Sequence, residues 1–158
     1  MKKFLVDRML GRLAKGLRML GYDTIYYRGQ DLHELLHIAR QEERVVLTRN
    51  TRLTAKGIEG RIILIKNDHP LHQLEELLNQ GISVVDEQVL FSRCLLCNAL
   101  LDKITREDAE GKVPDFVFIQ QKDFSRCPQC LRIYWQGSHQ EHMQKKVEDL
   151  FKDLTKPI

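Results

Sequence analysis

Phe4-Leu5-Val6-Asp7-Arg8-Met9-Leu10-Gly11-Arg12-Leu13-Ala14-Lys15-Gly16-Leu17-Arg18-Met19-Leu20-Gly21 is the stretch that decides the fold. Three apolar residues run into an acid, and a basic amphipathic segment follows at once. A short apolar run bounded by charge suits a buried parallel strand, so residues 3–6 read as a first strand. Residues 9–20 read as the helix after it, because Leu10, Leu13, Ala14, Leu17 and Leu20 recur at helical spacing and make a buried stripe. Arg8, Arg12, Lys15 and Arg18 lie mainly outside that stripe. Arg8, Arg12 and Lys15 follow one another at i, i+4 and i+7 and form a basic ridge. Gly21 fits the position that closes a helix. Gly11 and Gly16 weaken the helix by about 1 kcal/mol each relative to Ala and allow close packing or close approach of a ligand. Asp7 then stands at the carboxyl end of a strand, the edge where open α/β sheets bind ligands. It is equally a favoured helix N-cap.

The same alternation continues outward. Residues 24–27 read as a second strand and Arg28-Gly29-Gln30 as a turn. Asp31, with Glu34 three residues on, opens a second helix in the manner of a capping box. Val45-Val46-Leu47-Thr48 is a third strand ending in Arg49-Asn50, and residues 62–65 are a fourth, ending in Lys66-Asn67-Asp68. Pro70 suits a helix start, with a leucine stripe up to Gly81. Residues 82–85 offer a fifth strand. Strands alternating with helices predict right-handed crossovers and a parallel sheet flanked by helices on both faces. All carboxyl ends of such a sheet share one edge, so Asp7, Asp31, Asn50 and Asp68 fall along one rim. Three carboxylates and an amide make a candidate Mg²⁺ or Mn²⁺ site. Each also has a plain structural role, Asp7 and Asp31 as caps, Asn50 and Asp68 as turn formers.

The chain has 158 residues, 42% hydrophobic and 30% charged, enough for one α/β domain with a small appendage. There is no apolar run near the length of a membrane span and no signal-peptide core at the start, so the expected home is the cytoplasm. Net charge is +3, yet residues 1–30 carry Lys2, Lys3, Arg8, Arg12, Lys15, Arg18 and Arg28 against only Asp7 and Asp23. A positive excess there favours an anionic partner, although a solvated helix face has the same composition.

All four cysteines come late, as Cys94-Leu-Leu-Cys97 and Cys127-Pro-Gln-Cys130. Two CxxC turns far apart in sequence are the pattern of a tetrahedral four-thiolate zinc site. A redox motif needs one CxxC, and disulfides do not suit the compartment. With four thiolates available, His139 and His142 are not needed as ligands. Between the pairs, residues 113–118 read as ribbon strand, and Ile133-Tyr134-Trp135 as another. Tyr134 or Trp135, if exposed, offers a surface for a nucleobase; such aromatics also pack small ribbon cores. Met143, Val147, Leu150, Phe151 and Leu154 give the tail one apolar helical face, a docking face toward the body or toward a partner. The expected organisation is an α/β domain over 1–91, a zinc ribbon over 92–137 and a C-terminal helix over 138–158.

The opening stretch through Tyr22-Asp23, the blocks Asp31…Ile38-Ala39 and Arg44-Val-Val-Leu-Thr48-Arg49, and Cys94-x-x-Cys97-Asn98 with Cys127-Pro-Gln-Cys130-x-x-x-Tyr134-Trp135-x-Gly137-Ser138-His139 together resemble the Mut-seven C-terminal RNase domains, a PIN-like family. The resemblance spans about residues 2–145. It implies a PIN-like α/β fold with a zinc ribbon, and metal-dependent cleavage of RNA. Asp7 and Asp31 match acids that hold divalent metal in such nucleases, and Arg49 matches the middle of a Thr-Arg-Asp signature. Asn50 departs from it, standing where the family has Asp. Its carbonyl oxygen can still meet a metal, but it brings no charge and cannot act as a base. On this reading Asp7, Asp31 and Asn50 form the catalytic rim with Mg²⁺ or Mn²⁺. Arg8, Arg12, Lys15 and Arg49 hold RNA phosphates, with Asp68 a possible source of the missing charge. The alternatives are an RNA-binding chain with a decayed metal site and an adaptor that binds protein through ribbon or tail helix.

Overall fold

Strand β1 (Phe4–Val6) is the centre of a four-stranded parallel sheet ordered β2-β1-β3-β4, with β2 at Thr24–Tyr26, β3 at Val45–Thr48 and β4 at Ile62–Leu64. The computed structural model describes residues 1–54, 61–82, 89–137, 141, 142 and 145. Val6 pairs with Tyr26 on one side and Leu47 on the other, so the carboxyl ends of β1, β2 and β3 are level. Helices α1 (Gly11–Met19), α2 (Leu32–Gln41), α3 (Thr51–Thr54) and α4 (Pro70–Asn79) lie between and after the strands. The chain moves one way from β1 to β2 and back past β1 to β3. Right-handed crossovers therefore send α1 and α2 to opposite faces. Leu5 and Val46, partners in register, pack with Leu35, Leu36, Ala39 and Leu53 on the α2 face. On the other face α1 packs against α4. The central strand β1 and most of β3 are buried on both sides, which is why they read as continuous apolar runs, while the outer strands β2 and β4 are largely half-buried.

The helix after β1 differs in detail from the expected one. Arg8–Leu10 forms a separate 3₁₀ turn capped by Asp7, and α1 proper starts at Gly11. Arg18, expected on the outer face, is buried at 7% exposure. Its guanidinium is hydrogen-bonded to the carbonyls of Thr24 at 2.9 Å, Leu95 at 2.6 Å and Leu96 at 3.1 Å, which satisfies a cation that burial would otherwise destabilise.

The chain divides into two compact units, Met1–Asn98 and Ala99–Ile158. The second contains a three-stranded antiparallel sheet ordered β5-β6-β7, from Asp102–Ile104, Phe124–Arg126 and Ile133–Trp135. Two short helices, α5 (Arg106–Ala109) and α6 (Asp115–Gln120), cross between β5 and β6. The strand expected over 113–118 is thus a helix. Pro114, at φ −57°, cannot donate to a ladder and suits a helix entry, and Asp115 favours the first turn. Val117 then packs with Ala109, Val113 and Phe124 as the unit's core. The expected strand over 82–85 and the tail helix fall largely outside the described residues. Among the described residues no helix is long and apolar enough to cross a membrane.

Candidate active-site rim and cysteine cluster

Asp7 leaves β1 as its neighbour strand β3 ends. Its backbone N–H donates to Leu47 O at 3.0 Å, holding the two strand ends together. The strand order reverses between β1 and β3, and in open parallel sheets that switch point is where ligands bind. The Asp7 carboxylate is buried at 7% exposure. One oxygen accepts the Met9 N–H at 2.9 Å, which is the capping role. The other accepts the hydroxyl of Thr48, a fully buried residue at the end of β3. The same hydroxyl accepts the Asn50 N–H at 2.9 Å. Thr48 therefore ties Asp7 to the backbone of Asn50; the sequence offered it only as the first residue of the Thr-Arg-Asp signature, with no role of its own.

Asn50 is half-buried, and its side-chain oxygen accepts the Arg52 N–H at 3.0 Å, opening α3. Asp31, exposed beyond the end of β2, caps α2 by accepting the N–H groups of His33 at 2.8 Å and Glu34 at 3.4 Å. Glu34 does not close a capping box. Instead it accepts the Tyr27 hydroxyl at 2.5 Å, while that hydroxyl lies 3.0 Å from the Asp31 carbonyl. The Glu34 carboxylate beside it pushes the Tyr27 phenol up to about 12, so it stays protonated as a donor. Asp68 forms an ion pair with Arg49. Its charge is thus engaged rather than held toward Asp7. Arg8, Arg12 and Lys15 are exposed, and among the described residues none of them has an ion-pair partner.

The cysteines are brought together as their spacing implies. The sulfurs of Cys94, Cys97, Cys127 and Cys130 all lie within 4.8 Å of one another. Among the described residues this is the one group of three or more Cys, His, Asp or Glu side chains placed to share a metal ion, and neither Asp7 nor Asp31 belongs to it. Both turns have the same build. The second cysteine's N–H points at the first sulfur, at 3.3 Å for Cys97 and 3.5 Å for Cys130. The next residue, Asn98 or Leu131, has φ of 66° or 62° and donates back to the first cysteine's carbonyl. The first turn is fixed to the edge of the parallel sheet by Asn98, whose side chain accepts the Thr24 N–H at 2.9 Å and donates to Asp23 at 2.8 Å.

Comparison with known proteins agrees with this build. The human protein named "Exonuclease mut-7 homolog" is 33% identical over 97 residues, covering 58% of this chain and 11% of the human protein. The chain thus spans about a ninth of that relative's length. No solved structure matches it. The sequence model of the Mut7-C RNAse domain matches residues 2–147, nearly the whole chain. A match of that extent makes the chain a member of the Mut7-C RNAse domain family, with a nuclease-like role.

Proposed function

We propose that this chain is a divalent-metal-dependent ribonuclease that hydrolyses RNA phosphodiester bonds at the rim formed by Asp7, Asp31 and Asn50. The observation that carries the reading is the buried Asp7 carboxylate, tied through Thr48 to Asn50 at the β1/β3 switch point. The donor set is oxygen throughout, the kind Mg²⁺ and Mn²⁺ take. Each Asp7 oxygen accepts one hydrogen bond and keeps further lone-pair capacity. A bound ion there supplies charge neutralisation at the phosphate and a more acidic water. Arg8, Arg12 and Lys15 bind backbone phosphates, giving salt-dependent and mainly sequence-blind affinity. Arg49 exchanges its exposed Asp68 partner for a phosphate, a small loss because surface ion pairs are weak. The four cysteines hold a structural Zn²⁺. Their sulfurs are within reach of one tetrahedral ion, and N–H groups directed at Cys94 and Cys127 favour the thiolate form.

The test is RNA degradation with Mn²⁺. Asp7→Asn is expected to abolish it, and full activity in that variant overturns the assignment. A second reading, an RNA-binding chain with a decayed site, draws on Asn50, whose side-chain oxygen serves as a cap for α3. Activity in Asn50→Asp but not in wild type supports it, and equal activity in both refutes it.

A further inference from the structure

On the α1 face of the first unit a cavity of about 440 Å³ opens among Met9, Gly11, Arg12, Lys15, Tyr26 and Arg28. That volume falls in the range of about 300–1,000 Å³ typical of small-ligand pockets. It begins two residues from Asp7, and Asp68, the partner of Arg49, lines it as well. The rim and the cavity are therefore neighbours.

Its walls are built. The Tyr26 hydroxyl donates to the Arg8 carbonyl at 2.8 Å, which fixes the ring. The Arg28 guanidinium lies over that ring, 5.4 Å from its centroid. Gly11 is what lets the ring approach α1, since a Cβ there would meet Tyr26 Cζ and Oη at 3.0 Å. Met9, 64% exposed, adds a soft apolar surface. Arg12 and Lys15 bring positive charge, and among the described residues neither is ion-paired. Flat and apolar walls beside cations are the chemistry that takes a stacked base together with its phosphate.

We propose that this cavity holds one unpaired nucleotide of an RNA strand, its base against Tyr26, Arg28 and Met9 and its phosphate against Arg12 and Lys15. The inference rests on the reading of the rim as an RNA-cleaving site and names its substrate class as single-stranded RNA. A base enters a concave pocket only out of its stack, so a blunt duplex has nothing to offer it.

Binding is measured by fluorescence anisotropy without added divalent metal, using a short single-stranded oligoribonucleotide and its blunt duplex. Wild type is expected to prefer the single strand. Arg28→Ala is expected to weaken the single strand by at least about fivefold, the loss of one stacking surface. Arg40→Ala, which removes an exposed charge on α2, is the charge-matched control with little effect. Gly11→Ala favours the helix but displaces the Tyr26 ring, and lowers affinity in the same direction. Equal losses in Arg28→Ala and Arg40→Ala, no loss in Arg28→Ala, or a preference for duplex each overturn the pocket. If Asp7→Asn abolishes cleavage while Arg28→Ala binds as wild type, the rim stands and the pocket falls. Arg28-dependent binding in a chain that never cleaves does the reverse.

Discussion

A threonine hydroxyl joins the ends of β1 and β3. Thr48 donates to Asp7 and accepts from the Asn50 N–H, and it is fully buried while doing so. Thr48→Val keeps the shape and removes the hydroxyl, leaving a buried carboxylate oxygen and a backbone N–H without that partner. Unsatisfied buried polar groups cost about 1–3 kcal/mol each, and for a chain of this size 1 kcal/mol is about 2–4 °C in Tm. Thr48→Val is therefore expected to melt several degrees lower and to lose Mn²⁺-dependent cleavage, with Thr48→Ser restoring both. Wild-type melting and cleavage in Thr48→Val would show that Asp7 is positioned by something else. The positions of Asp7, Asp31 and Asn50 beyond strand ends were legible in the sequence because each follows a recognisable strand. Thr48 entered only as the first residue of the Thr-Arg-Asp signature and was given no role, because a β-branched residue at a strand end is already explained by strand propensity. Asp68 drew attention for its position after β4. A side chain at a strand end has several directions open to it, and this one turns to Arg49.

Elements were read well where one signal dominated. Continuous apolar runs gave the strands of the parallel sheet, and caps with helical spacing gave α1, α2 and α4. The reading failed at α6, where Phe, Val and Ile pointed to a strand while Pro114 and the packing of Val117 decided for a helix. Strands β5 and β6 are three residues long, too short for alternation to register. What locks neighbouring strands at the other end of the parallel sheet is equally invisible to periodicity. Arg44, buried just before β3, donates to the Asp23 carboxylate at 2.7 Å, just before β2, and to the Phe4 carbonyl at 3.3 Å. Burial by itself would raise the Asp23 carboxyl, but the hydrogen bonds and charge of Arg44, with Asn98, outweigh it and hold it below the usual carboxylate range. A carboxyl depressed on folding stabilises above its unfolded value of about 3.9 and loses that contribution as pH falls through its folded value. Wild type is thus expected to melt several degrees above Asp23→Asn at pH 7, with the gap closing as pH drops below about 4. A gap that is constant over that range, in thermal melts read by circular dichroism, counts against the lock.

At the scale of the molecule, the two units rest on different sources of stability. The first has large side chains wholly out of water on both faces of its sheet, among them Phe4, Leu5, Leu13, Leu17, Leu47 and Leu77. The core cluster of the second contains Ala109, Val113, Val117 and Phe124, with a few half-buried neighbours, while Phe116, Ile119 and Leu131 stay exposed. A unit of that length, Ala99–Ile158, is marginal on its hydrophobic core alone. The four cysteine sulfurs are gathered within 4.8 Å of one another, so a shared metal ion is the available source. Structural zinc contributes about 10–16 kcal/mol in small zinc-finger peptides at pH 7. The cysteine spacing made the gathering of the four sulfurs legible before any fold was known. Chelation is therefore expected to erase amide hydrogen-exchange protection in β5, β6 and β7 while protection in β1 and β3 persists. Lowering the pH should have the same selective effect as thiolates protonate and release the ion. Loss of protection in both sheets at the same chelator concentration would mean that the parallel sheet also depends on the metal. Retention in both would mean that the second unit holds itself together through contacts other than its cysteines.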